Sequence, residues 1–101
     1  MKKRLLELAE EIDNIVLDLL GPARCEHSVY RPAFDMFYKY LDEIKILVKD
    51  EEEIPRRLTG LLFFIYISLD SNIRNKDNYK DPLLLEVAKV EEYLDSIFGA
   101  D

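Results

Sequence analysis

An all-α, antiparallel up-down-up-down four-helix bundle is predicted by three features of the chain. Apolar residues recur at three- and four-residue steps in four separate segments, helix-starting and helix-ending residues punctuate those segments, and the connections between them are short. Short connections make sequential helices antiparallel neighbours. The predicted helices cover about residues 3–20, 32–48, 54–74 and 82–98 of one domain, 1–101, with no internal repeat and no low-complexity segment.

In the first segment Leu5, Leu8, Ile12, Ile15, Val16 and Leu19 form an apolar stripe, and Glu7, Glu10, Glu11, Asp13, Asn14 and Asp18 fill most of the remaining wheel. Gly21-Pro22 reads as its stop, because glycine accepts the left-handed conformation that ends a helix and proline does not continue one. Ala23 to Arg31 has no clean period and reads as a loop. Pro32 then suits a first helical turn, where its missing N–H is not needed. The second stripe is Phe34, Phe37, Leu41, Ile44 and Val48, and Met36, Tyr40 and Leu47 widen it to one side.

Asp50-Glu51-Glu52-Glu53 places negative charge before the third helix, where it meets the positive end of the backbone dipole. Pro55 fits the first turn, and Glu52–Arg56 and Glu53–Arg57 have ion-pair spacing. Leu58, Leu61, Leu62, Ile65, Tyr66, Leu69 and Ile73 share one face, while Gly60, Phe63 and Ile67 fall nearly opposite. The third helix is therefore apolar almost all round. Phe63 to Ile67 has the aromatic and β-branched content of a strand, but its length and neighbours favour helix. Asn75 to Lys80 reads as a turn. Asp81 is the expected N-cap and Pro82 the first helical residue ahead of Leu83, Val87, Val90, Leu94 and Ile97, with Gly99 as the stop.

The chain has 101 residues, is 49% hydrophobic and 35% charged, and carries a formal net charge of −7. That mixture builds one core without a staple. The charge repels nucleic-acid phosphates and favours a basic partner, so no nucleic acid is expected. The stretch Leu58 to Leu69, interrupted by Thr59, Gly60 and Ser68, falls short of the roughly 20 apolar residues of a membrane span, and no membrane insertion is expected. The single Cys25 and an opening Met1-Lys2-Lys3-Arg4 that lacks signal-peptide character point to a reducing cytoplasm.

Catalytic chemistry finds little to work with. Cys25, Glu26 and His27 combine a thiol, a carboxylate and an imidazole, but zinc takes three or four protein ligands and no second Cys or His exists. The Glu-x-x-His pairs of di-iron bundles are absent, Arg24 standing three residues before the histidine. Glu91, Glu92 and Asp95 on the fourth helix, and Glu7, Glu10, Glu11 and Asp13 on the first, resemble the carboxylate sets with which all-α nucleotide pyrophosphohydrolases hold magnesium. They fall mainly on polar faces, as a solvated surface predicts. No glycine-rich phosphate loop is present. The expectation is a protein with no catalytic residue, no metal and no cofactor, and the metal-dependent hydrolase is the alternative.

The apolar surplus points to binding. Gly60, where close backbone approach is expected, together with Phe63 and Ile67 on the third helix and Met36, Tyr40 and Leu47 on the second, are the candidate interface. Either Val29 and Tyr30 fold over the third-helix face, or a second copy or another protein covers it. The length, the Lys-rich start, the four amphipathic segments and the pattern Arg57-Leu58, Leu62, Phe64 and Tyr66 resemble the small immunity proteins that protect bacteria from pediocin-like bacteriocins. The resemblance spans most of the chain. It implies a four-helix bundle inside the producing cell, blocking killing through a bacteriocin-bound sugar-transport permease. That family is generally basic, whereas this chain is acidic. A homodimeric adaptor or regulator is the remaining alternative.

Overall fold

The structure is a computed structural model that describes residues 2–26, 28–73 and 81–99. Its helices are α1 (Lys2–Cys25), α2 (Arg31–Leu47), α3 (Arg56–Ser71) and α4 (Pro82–Phe98), and no strand occurs among the described residues. The 63–67 segment is helical. The core is the set of apolar stripes. Leu8, Ile12 and Leu19 of α1, Phe34, Phe37, Leu41 and Ile44 of α2, Leu58, Leu62, Ile65 and Leu69 of α3, and Leu83 and Val90 of α4 are wholly removed from solvent. Each Leu, Ile, Val or Phe so buried contributes roughly 1.5–3 kcal/mol.

The helices alternate in direction. Arg4, near the start of α1, is bound to Glu43, near the end of α2, so these two run antiparallel. Phe63 in the first half of α3 touches Phe98 at the end of α4, so α3 and α4 are antiparallel too. Arg57 and Glu10 meet near the starts of α3 and α1, and Arg31 meets Glu86 early in α2 and α4 while Asp42 meets Tyr93 further along both, so both of these pairs are parallel. The principal packing contacts are α1–α2, α1–α3, α2–α4 and α3–α4. The sequential pair α2 and α3 is thus diagonal instead of adjacent. The connection 48–55 permits this: eight residues at roughly 3.3 Å each exceed the diagonal of a bundle whose neighbouring axes lie about 10 Å apart. Val48 is buried at one end of the crossing and Ile54 packs on the core at the other.

Three predicted boundaries are corrected. Helix α1 runs through Gly21-Pro22 to Cys25. Proline at this point removes only one N–H, while continuing the register buries Ala23 completely, and the packing gain prevails. The Pro22 carbonyl then accepts from the Glu26 and Ser28 amides at 3.0 and 3.1 Å, and residues 28–30 are the non-helical link. Helix α3 begins at Arg56 because Pro55 is extended (φ −52°, ψ 132°) and a proline restrains the residue before it from helical backbone. Glu52 and Glu53 therefore precede the helix, and their expected i,i+4 pairing with Arg56 and Arg57 lacks its geometry. At the other end, the Asn72 side-chain amide donates to the Ser68 carbonyl at 2.7 Å and closes α3 at Ser71, short of the expected 74.

Helix α4 follows its prediction. The Asp81 carboxylate accepts from the Leu83 amide at 2.9 Å, and Leu83, Val87, Val90, Leu94 and Ile97 are all buried. Gly99 ends the helix on extended backbone (φ −67°, ψ 137°), its amide bound to the Asp95 carbonyl at 2.8 Å. His27 and the turn expected over Asn75–Lys80 fall outside the described residues. No helix among the described residues is long and apolar enough to cross a membrane.

Gly21 supplies a direct check on the extended α1. A Cβ there would meet nothing within 4 Å, so Gly21→Ala removes the helix penalty of glycine at no steric cost. The variant is expected to be more stable by about 0.5–1 kcal/mol, read as a higher urea midpoint at unchanged slope. A left-handed stop at Gly21 would give the opposite sign.

Candidate functional site

Helix α3 occupies a corner of the bundle between α1 and α4. Its stripe Leu58, Leu62, Ile65 and Leu69 faces inward, so the side chains about half a turn away point outward. Gly60 is exposed, and Phe63, Phe64 and Ile67 are 40, 53 and 61% exposed. The predicted third-helix surplus is thus brought together on one open face. Val29 packs on the core and Tyr30 is itself half exposed, leaving this face uncovered by them. The diagonal placement of α2 is the reason, since residues 28–30 lead into the helix opposite α3. Gly60 serves no close approach: a Cβ there would meet nothing within 4 Å.

The predicted residues on α2 lie on the opposite corner and do not join this surface. Tyr40 and Leu47 pack against the core, and Met36 is 39% exposed. Three residues outside the predicted set do join it: Phe64, Leu17 of α1, which is 82% exposed, and Phe98 of α4. Glu10 and Arg57 approach to 3.9 Å across the parallel α1–α3 pair, and Leu17 and Phe64 each stand seven residues further on. Seven residues are about two turns, so Leu17 and Phe64 occupy the corresponding positions about 10 Å along the same seam.

On the other flank, Phe63 packs against Phe98 with ring centroids 5.2 Å apart and planes tilted by 37°. Between α3 and α4 runs a groove of about 270 Å³ lined by Phe63, Tyr66, Glu91, Leu94, Asp95, Phe98 and Gly99. Glu91 and Asp95 are exposed on its wall. Glu92 lines the α2–α4 cleft instead, beside Asp42, Lys45, Lys89 and Tyr93. The three carboxylates of α4 therefore diverge. On α1, Glu7 and Glu11 gather around Arg4, at 3.8 and 3.6 Å, while Glu10 faces Arg57. Among the described residues no three His, Cys, Asp or Glu side chains converge as a metal site would require. Cys25 is exposed at the end of α1.

The most tightly linked polar groups lie on the α2–α4 seam, and pattern reasoning did not find them. Glu86, only 13% exposed at its side chain, accepts from both guanidinium nitrogens of Arg31, at 2.6 and 3.1 Å, and from the Tyr38 hydroxyl at 2.6 Å. Tyr38 stacks on Tyr93 at 5.6 Å, the Lys89 ammonium sits 4.3 Å above the Tyr38 ring, and the Tyr93 hydroxyl donates to Asp42 at 2.7 Å. Burial pushes the Glu86 carboxyl up, but the hydrogen bonds from Arg31 and Tyr38 and the charges of Arg31 and Lys89 outweigh it. The result is a carboxylate held below its ordinary value. Burial and the bond to Glu86 push Tyr38 well above the usual phenol range, and burial with the bond to Asp42 pushes Tyr93 up to about 12. With each oxygen of Glu86 occupied, the cluster acts as a lock between helices. A similar link joins α1 to α2, where Arg4 holds Glu43 through a two-point contact and keeps its carboxyl below the usual range.

Comparison of the chain with family models, curated proteins and solved structures finds no match.

Because Glu86 is depressed in the folded state, its stabilisation is complete above the unfolded value near 4.5 and is lost as pH falls through the lower folded value. Glu86→Gln is expected to cost about 1.5–3 kcal/mol at neutral pH, with the gap to the parent narrowing below pH 4.5 in urea unfolding across the acid range. Tyr38 and Tyr93 act at the alkaline end. Their raised folded values mean that the unfolded chain ionises first, so stability falls as pH rises above 10. Tyrosinate absorbance should show these two lagging the other tyrosines, and Tyr93→Phe should remove one lagging group.

Proposed function

We propose that this protein acts without catalysis, as a small helical-bundle binding protein that neutralises or regulates a protein partner. The observation that carries this reading is the open face of α3, on which Phe63, Phe64 and Ile67 remain exposed in an otherwise well-filled bundle. The polar clusters support it from the other side. The carboxylates of α4 face two different grooves, and the Glu86 cluster is spent on joining α2 to α4.

Within this class, the resemblance of the third helix to the immunity proteins of pediocin-like bacteriocins selects the particular role: protection of the producing cell from its own bacteriocin. Phe64 belongs to that resemblance and also stands on the exposed face.

Expression in a strain sensitive to a pediocin-like bacteriocin is the direct test. Raised survival is the expected result, with a permease or a cationic peptide retained by the tagged protein and identified by mass spectrometry. Unchanged killing would remove the immunity role. Magnesium-dependent release of pyrophosphate from nucleoside triphosphates, lost in Glu92→Gln, would overturn the non-catalytic reading altogether.

A further inference from the structure

We infer that the outward face of α3 is the docking surface for a cationic amphipathic helix belonging to a partner protein. The inference rests on the binding-protein reading and adds to it the place and chemistry of the contact. The apolar centre of the face is the Phe63, Phe64 and Ile67 stripe, continued by Leu17 on the α1 side and by Phe98 on the α4 side. Its three- and four-residue spacing is the ridge pattern against which a second helix lays its own apolar stripe.

Charge fixes what that helix carries on its edges. On the α4 side, Glu91 and Asp95 stand one turn apart on the groove wall beside Phe63 and Phe98. On the α1 side, Glu10 and Asp13 lie on the same stripe as Leu17, and all four carboxylates are exposed. Among the described residues the bordering cations stand at the two ends: Lys2, Lys3 and Arg57 line the cleft between the starts of α1 and α3, Arg56 precedes Arg57, and exposed Arg24 follows Leu17 by two turns toward the end of α1. The middle of the strip, between Asp13 on α1 and Glu91 and Asp95 on α4, has carboxylates on both sides, whereas Glu10 already faces Arg57, and that middle complements a helix whose apolar face is bordered by Lys or Arg.

The same margins oppose a second copy of this chain. Pairing the face with itself sets acidic margin against acidic margin, on molecules that each carry a net charge of −7. A headgroup-rich anionic membrane is disfavoured by the same repulsion.

The probe is a fluorescent, idealised Leu/Lys amphipathic helix of about 18 residues, five turns, beside its Leu/Glu counterpart. Anisotropy titration is expected to show binding of the Leu/Lys peptide alone, weakened by salt. Phe64→Ser with Ile67→Ser should weaken it roughly tenfold or more, since exposed apolar anchors carry most of the affinity of such contacts. Glu91→Gln with Asp95→Asn should weaken it less and flatten its salt dependence. Ile46→Ser, an exposed site on the diagonal helix α2, should leave it unchanged. Circular dichroism should show every variant folded, because each altered side chain is solvent-facing.

Equal binding of the two peptides, or equal losses in Ile46→Ser and the Phe64/Ile67 variant, would overturn the inference. So would sedimentation showing the protein alone dimerising through Phe64 and Ile67. A cellular partner that still binds the Phe64/Ile67 variant would overturn this surface while leaving the binding-protein reading standing.

Discussion

A helix at the corner of a four-helix bundle has two neighbours and buries about half of its circumference, whereas α3 is apolar around nearly all of it. Leu58, Leu62, Ile65 and Leu69 satisfy the core, and no rotation of the helix hides Phe63, Phe64 and Ile67 as well without exposing that stripe. The open face follows from this geometry. It is sharpened by the crossing at 48–55, which sends α2 to the opposite corner and takes the apolar flank of α2 with it. Had α2 and α3 been adjacent, Met36 and Tyr40 would have been candidates to cover part of the surplus.

Apolar stripes alone permit more than one arrangement of four helices, and the polar links select among them. Arg4 with Glu43 fixes the α1–α2 register, and Arg31, Tyr38 and Glu86 fix α2 against α4. Each link is charge-assisted and two-pointed, and at the Glu86 cluster a slip of one turn leaves a carboxylate unpaired in a partly dry setting, which costs more than the link itself gains, whereas the exposed Arg4–Glu43 pair adds geometric preference more than energy. Glu11 shows the limit of this economy. Its buried Oε2 lies 3.6 Å from Arg4, close enough for ionic attraction and too far for a hydrogen bond, and has no other hydrogen-bond partner.

Periodicity read the interior well because burial writes itself into spacing. Every stripe residue named for α4 is buried, and so is every one named for the core face of α2. It misread the end of α1 because a local rule about proline competes with a tertiary gain at Ala23, which no local pattern displays. It misplaced the start of α3 because the acidic run before Pro55 suits a helix N-terminus whether it lies inside or outside the first turn. The Glu86 cluster was illegible for another reason. Glu86 follows three leucines and resembles any polar position on a wheel, and only the pairing of α2 with α4 places it against Arg31 and Tyr38. Phe64 stood in the third-helix resemblance, yet its exposure depends on which helices flank α3, as does that of Leu17.

If the α3 face binds as proposed, solubility and binding make opposite demands on it, and the carboxylates at its edges bear on both. Exposed aromatic and aliphatic side chains supply affinity without much selectivity, since apolar contact is non-directional. Carboxylates on both sides supply what the centre lacks: they repel like-charged surfaces, including other copies of the chain, and draw oppositely charged ones through long-range attraction before contact. A neutral margin would leave Phe64 and Ile67 available to any apolar surface. In the proposed docking, Asp13 on one side and Glu91 and Asp95 on the other make adhesion conditional on a complementary charge pattern, and the same carboxylates oppose contact between like-charged copies of the chain.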